Sequence, residues 1–233
     1  MRPKKIVCAV IAGIVMLVSG LLFAAEEGGL LFQTDFSSGY RAQMRLTSWN
    51  AAGELKPVEG TAEGVQTIDG KTGKAVRISS TMTPGPYLCY PAGVSINRFM
   101  GVLECRVNFS ASSIGQGRHI IIDLRNRGKT GYLLEKKTDG SISLSAQEEG
   151  QVLTEIKAPI DRGWADTWHQ VTASWNTEKC TLFFDGKKVA ESKETVIPSV
   201  VGQDIFIGSS YEAVDQVGGS IEGVKIYLKE AKQ

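Results

Sequence analysis

The sequence predicts an all-β fold, a sandwich or jelly roll, and three observations carry that expectation. Beyond the N-terminal segment no window of a dozen residues sustains apolar spacing at three and four. Short runs of β-branched, aromatic and alternating residues recur instead. Turn dipeptides separate them. A chain of 233 residues that is 42% hydrophobic is enough for one large β domain.

The runs come in order as LLFQTDF (30–36), KAVRISS (74–80), GVLECRVNF (101–109), RHIIIDLRN (118–126), GYLLEKK (131–137) and SISLSAQ (141–147). They continue as QVLTEIK (151–157), WHQVTASW (168–175), CTLFF (180–184), KKVAES (187–192), DIFIG (204–208) and SIEGVKIYL (220–228). Asp185-Gly186 and Asp139-Gly140 predict tight hairpin turns, because both residue types tolerate the positive φ that such turns need. Glu149-Gly150 is a weaker signal of the same kind. The stretch from Asn50 to Gly73, rich in Gly, Ala, Thr and Glu, reads as loops with one or two weak strands. No Pro/Ser-rich linker divides the chain, so one domain over 30–229 is expected.

Residues 1–25 read as a secretory signal peptide: a basic start (MRPKK), an uncharged run over 6–23, then Ala24 and Ala25 before Glu26. The run is also just long enough to span a bilayer, so retention as a membrane anchor is the second reading. Either way the domain is expected to be extracytoplasmic, secreted, periplasmic or envelope-associated, touching membrane only through this segment. The formal charge is +1 over the whole chain. Without Arg2, Lys4 and Lys5 it turns slightly negative, which gives no footprint for nucleic acid. An oxidising compartment permits one bridge, for which Cys89 and Cys105 are the candidate partners, since their strand-like segments follow one another. The alternative is that they and Cys180 are small buried apolar residues.

Side chains alternate across a strand, so each run divides into two lists. Leu103, Cys105, Val107 and Phe109 form a core list, opposite Glu104, Arg106 and Asn108. Ile120, Ile122 and Leu124 oppose His119, Ile121, Asp123 and Arg125. His169, Val171, Ala173 and Trp175 oppose Trp168, Gln170, Thr172 and Ser174. If the three strands share a sheet, Glu104, Arg106, Asn108, His119, Asp123, Arg125, Gln170 and Thr172 merge into one polar face. Such a face offers the directional donors and acceptors that read carbohydrate hydroxyls, with Trp164, Trp49, Tyr87 or Tyr90 as the aromatic platform. The plainer reading is the wet side of an ordinary antiparallel sheet. Trp168 and Trp175 read as packing residues, and His169 as a hydrogen-bonded structural histidine.

Four segments in order resemble the laminin-G-like, concanavalin-A-like jelly-roll domain of secreted bacterial proteins: DGKTGKAVRI (69–78), GVLECRVNF (101–109), DTWHQVTASWN with TLFFDGKKVAES (166–192), and IFIGSS with GGSIEGVKIYL (205–228). The resemblance implies a sandwich of that type and, in some relatives, a structural calcium near the acidic position that Glu222 occupies here, with Asp35 as the second candidate ligand. No other cofactor is implied. The function expected is a non-catalytic binding module for a glycan or an extracellular protein. Two alternatives stay open: a polysaccharide-active glycoside hydrolase, and a structural or adhesive envelope protein. No Glu-x-Asp pair, Gly-x-Ser-x-Gly elbow or phosphate loop occurs.

Overall fold

A computed structural model describes residues 29–47, 54–78, 84–115 and 117–228. Residues 1–25, read above as a signal peptide or anchor, and Trp49 lie outside the described residues. The described chain forms seventeen strands: β1 (Leu30–Thr34), β2 (Arg41–Leu46), β3 (Leu55–Glu59), β4 (Thr61–Glu63), β5 (Gln66–Asp69), β6 (Lys74–Ile78), β7 (Tyr87–Pro91), β8 (Gly101–Phe109), β9 (His119–Asn126), β10 (Thr130–Lys136), β11 (Ser141–Glu148), β12 (Gln151–Pro159), β13 (His169–Trp175), β14 (Cys180–Phe184), β15 (Lys187–Glu191), β16 (Asp204–Ile207) and β17 (Gly219–Tyr227). Each of the twelve expected runs overlaps one of them, with ends that differ by a residue or two. Asn50–Gly73 holds three strands where one or two were expected.

All the pairings named here are antiparallel, and they build two sheets. The first runs β15-β14-β13-β8-β17-β1-β2-β3, with β6 attached to β17 and β5 to β6; the second runs β12-β11-β10-β9-β16-β7-β4. Between them lies one apolar core that takes alternate residues from most of the strands, among them Phe32, Val76, Ile78, Leu103, Val107, Ile122, Leu134, Val171 and Ile226. Trp175 is a packing residue as expected: it stacks on Tyr132 across the core at 4.6 Å between ring centroids, and its Nε1 donates to the Asn97 carbonyl. Burying side chains of this size stabilises by about 1.5–3 kcal/mol each.

The hairpin motif has a physical meaning in this frame. Asp185 and Gly186 both take positive φ, 49° and 80°, in the two-residue turn between β14 and β15. The Asp185 carboxylate reaches back to β13, where Oδ1 accepts the Gln170 amide at 2.8 Å and Oδ2 meets His169 Nδ1 at 2.7 Å. Trp164 stacks on the His169 ring at 4.0 Å. His169 is therefore a structural histidine clamped between a turn and an indole. Trp164 is buried in that role, and Tyr90 is buried in the core, so neither is a platform. Glu149 and Gly150 form the other two-residue turn with both φ positive. At Asp139-Gly140 only the glycine is in the left-handed region, because that hairpin closes through a longer loop.

β17 carries the decisive irregularity. Along one side it pairs with β8; along the other, Gly219–Glu222 pair with β6 and Val224–Tyr227 pair with β1. The neighbour changes at Gly223, which sits at φ +60°, and the ladder with β8 shifts register between Glu222 and Lys225. A bulge of this kind re-aims side chains and leaves a gap in the sheet surface.

Candidate binding face

On the side of the first sheet turned away from the core, residues fall into rows across neighbouring strands. Arg77 on β6, Ser220 on β17 and Asn108 on β8 form one row. Glu222, Arg106 and Gln170 form the next. Gln33, Lys225, Glu104 and Thr172 form the third. Five of the eight predicted face residues, Glu104, Arg106, Asn108, Gln170 and Thr172, are thus brought together, all but Thr172 partly exposed.

Asp123 and Arg125 are not part of it. β9 belongs to the second sheet, so the three strands do not share a surface. The Asp123 carboxylate is fully buried and grips Arg125 through two bonds of 2.8 Å, and Arg125 Nη1 donates to Gln147 at 2.9 Å. Their chemistry is internal satisfaction of a buried ion pair, not ligand reading. His119 is separated from them by a bulge in β9: Leu134 pairs with Ile122 and Glu135 with Ile120, so Ile121 is the extra residue. Past the bulge His119 pairs with Lys136, which faces core residue Ile142. The phase of the strand has flipped, and His119 comes to the end of the sandwich beside β8 and β17.

Two cavities open on the first sheet. The larger, about 690 Å³, is lined by Asn108, Ser220, Arg77 and Asp69, by His119, and by Trp168 and Asp166. Trp168 is half-buried, so it is a wall of this cavity and not a core residue. His119 is oriented by Nδ1, 2.7 Å from the Gln216 carbonyl. The short helical turn Ala111–Ile114 is tied to the same rim, with Ser113 Oγ donating to the Gly218 carbonyl at 2.7 Å. The smaller cavity, about 340 Å³, opens at the Gly223 bulge and is lined by Glu104, Arg106, Gln170, Lys225, Asp35 and Glu222. Arg77, Ser220 and Asp166 were not expected in a site. Arg77 and Ser220 alternate correctly on their own strands, and only the strand order shows that they adjoin Asn108.

Glu222 and Asp35 share the smaller cavity, and both Glu222 oxygens and Asp35 Oδ1 already accept from protein donors. Glu222 accepts the Lys71 amide at 2.7 Å, the Thr72 amide at 2.9 Å and the Thr72 hydroxyl at 2.5 Å, and Arg106 lies 3.7 Å away. Burial alone would raise its pKa; the bonds from Thr72 and Lys71 and the charge of Arg106 outweigh that and hold it below the usual carboxylate value. A Cβ at Gly70 would stand 2.9 Å from the Glu222 carboxylate, so any side chain there would have to displace the carboxylate from the turn. Asp35 Oδ1 accepts the Ser37 amide, the Ser37 hydroxyl and Gln43 Nε2 at 2.6–2.9 Å. Among the described residues no three His, Cys, Asp or Glu side chains converge as metal ligands. Each of the two carboxylates is engaged in its own hydrogen-bonded turn. A carboxylate held ionised in this way does not serve as a general acid.

Cys89 and Cys105 are free thiols and not a disulfide. They stand on different sheets, and Cys105 points into the shared core while Cys89, between core residues Leu88 and Tyr90, points away from it. Burial pushes the Cys105 thiol up to about 12. Cys180 is also a free, buried core residue.

A family model described as the concanavalin A-like lectin/glucanases superfamily, of laminin G type, matches residues 107–233. The chain belongs to this superfamily. The expected resemblance and the two-sheet concanavalin A-like sandwich are both shown. No curated protein sequence matches it. Among solved structures, this concanavalin A-like chain is similar to the binding domain of botulinum neurotoxin DC in complex with SialylT, with TM-score 0.63 and 12% identity over 88% of this chain and 49% of that one. The binding domain of serotype C1 gives TM-score 0.65 and 11% identity over 88% and 50%, and that of serotype D gives 0.62 and 14% over 88% and 49%. The chain spans about half the length of each. At these identities the likeness concerns the fold, and the structures resembled are binding domains.

Proposed function

We propose that this protein is an extracytoplasmic, non-catalytic carbohydrate-binding module, and that its site is the larger cavity on the first sheet. One observation carries the reading: Trp168 forms a wall beside a row of Arg77, Ser220 and Asn108, with Asp69 and Asp166 on the same rim. An indole face receives the apolar face of a sugar ring, while guanidinium, hydroxyl, amide and carboxylate groups exchange hydrogen bonds with its hydroxyls. The similarity to the binding domain solved in complex with SialylT supports a module that binds and does not catalyse. The test is retention on an array of oligosaccharides and polysaccharides. The wild-type domain is retained on at least one glycan class, and Asn108→Ala or Trp168→Ala abolishes that retention while the fold stays intact by circular dichroism. Release of reducing sugar from the retained glycan would overturn the reading in favour of a hydrolase.

A further inference from the structure

The two cavities stand end to end on the same two strands, and this sets the length of what they hold. Asn108 lines the larger one, and the next two outward positions of β8, Arg106 and Glu104, line the smaller. On β17 Ser220 lines the larger, and the next outward residue, Glu222, the smaller. No outward residue of either strand intervenes. The side walls continue as well. The β5–β6 hairpin supplies Asp69 to one cavity and Thr72 and Lys74 to the other, and the opposite wall passes from Trp168 to Gln170. The two openings therefore lie in line on one two-strand floor, between a hairpin on one side and the start of β13 on the other, with Arg106, bonded to Thr72, standing where they meet.

The geometry points to a linear oligosaccharide lying along β8, one ring against Trp168 and the following residues passing over Arg106 toward Glu104 and Lys225; this rests on the carbohydrate reading above. Four residues of strand at about 3.4 Å each put Glu104 roughly 14 Å from Asn108, a length no single sugar ring covers. The floor also changes character along that path. It begins beside an aromatic wall and ends among charged groups of both signs. Arg106 is fixed there because its Nη1 donates to Thr72 Oγ1 at 3.2 Å, beside the carboxylate that holds the 70–73 turn. Recognition of this kind favours chain length over ring identity, since the second opening offers hydrogen bonds and no second ring platform among its lining residues.

Calorimetric titration with cello-, chito-, xylo- and manno-oligosaccharides, each from monosaccharide to hexasaccharide, tests it. Within the series that binds, affinity rises over the first few residues and then levels off. Gln170→Ala and Glu104→Ala, both substitutions of partly exposed side chains, weaken the long chains about five- to tenfold, as loss of one or two hydrogen bonds predicts, and leave the shortest bound member unchanged. Asn108→Ala weakens every length. Equal affinity at all lengths, or a Gln170→Ala effect as large on the shortest ligand as on the longest, overturns the two-cavity path and leaves the Trp168 site standing. Binding of no oligosaccharide by the wild-type domain overturns both.

Discussion

The two sheets have opposite outer sides. On the first, charged and amide side chains stand in rows, partly exposed, beside two cavities. On the second, the outward residues of the central strands β9–β11 are buried too: Asp123, Leu133, Ser143 and Ser145 are all fully inaccessible, and the charge of Asp123 is met within the protein by Arg125, while outward residues of the flanking strands, Lys157 on β12 and Cys89 on β7, keep some exposure. The strands of both sheets alternate in sequence in the same manner. Alternation therefore tells which residues point away from the core, and not whether they meet solvent or a ligand.

The sharpest way to break this contrast is to remove a charge from each side. Arg125→Ala leaves Asp123 buried without its partner and should destabilise the fold by about 3–5 kcal/mol in urea unfolding. A loss below about 1 kcal/mol, the size of an exposed ion pair, would place that pair on a wet surface like the first sheet's. Next in size is Glu222, the one nearly buried carboxylate among the cavity residues of the first sheet. Glu222→Gln replaces an acceptor oxygen by a donor facing the Lys71 or Thr72 amide and should cost about 2 kcal/mol at neutral pH. Because the folded pKa of Glu222 lies below its unfolded value near 4.5, its contribution is complete above that pH and is lost as pH falls through the folded value. The stability gap between wild type and variant should therefore be constant near neutrality and close on acidification. A gap that widens in acid would contradict the hydrogen-bonded turn.

The same contrast shows what the sequence could reveal. The hairpin motif around His169 and Asp185 was legible because its partners lie sixteen residues apart, one on β13 and one in the turn that closes the next hairpin. The five polar residues of β8 and β13 were legible because those strands pair directly. Assigning Asp123 and Arg125 to the same face failed on a non-local fact, the sheet to which β9 belongs. His119 moved away from them through a one-residue bulge that alternation cannot register. β3, β4 and β5 escaped as distinct strands because they are short and mostly exposed; β3 is an edge strand that contains Pro57, which the middle of a sheet would not accept. The link between the 70–73 turn and Glu222 joins residues 150 apart in the chain. The order of motifs marked both ends of it without showing that they touch.

The central claim is that the ligand face lies on the first sheet at Trp168 and Asn108. Its most direct test is the binding of three proteins to one immobilised glycan: wild type, Asn108→Ala, and Tyr211→Ala, whose exposed ring packs on Phe206 over the second sheet. Both variants should stay folded, with Asn108→Ala within about 0.5 kcal/mol of wild type and Tyr211→Ala losing about 0.5–1.5 kcal/mol with its ring contact. Wild type and Tyr211→Ala should bind alike, and Asn108→Ala should not bind. Loss of binding in Tyr211→Ala with Asn108→Ala unaffected would put the ligand on the other sheet and contradict the account.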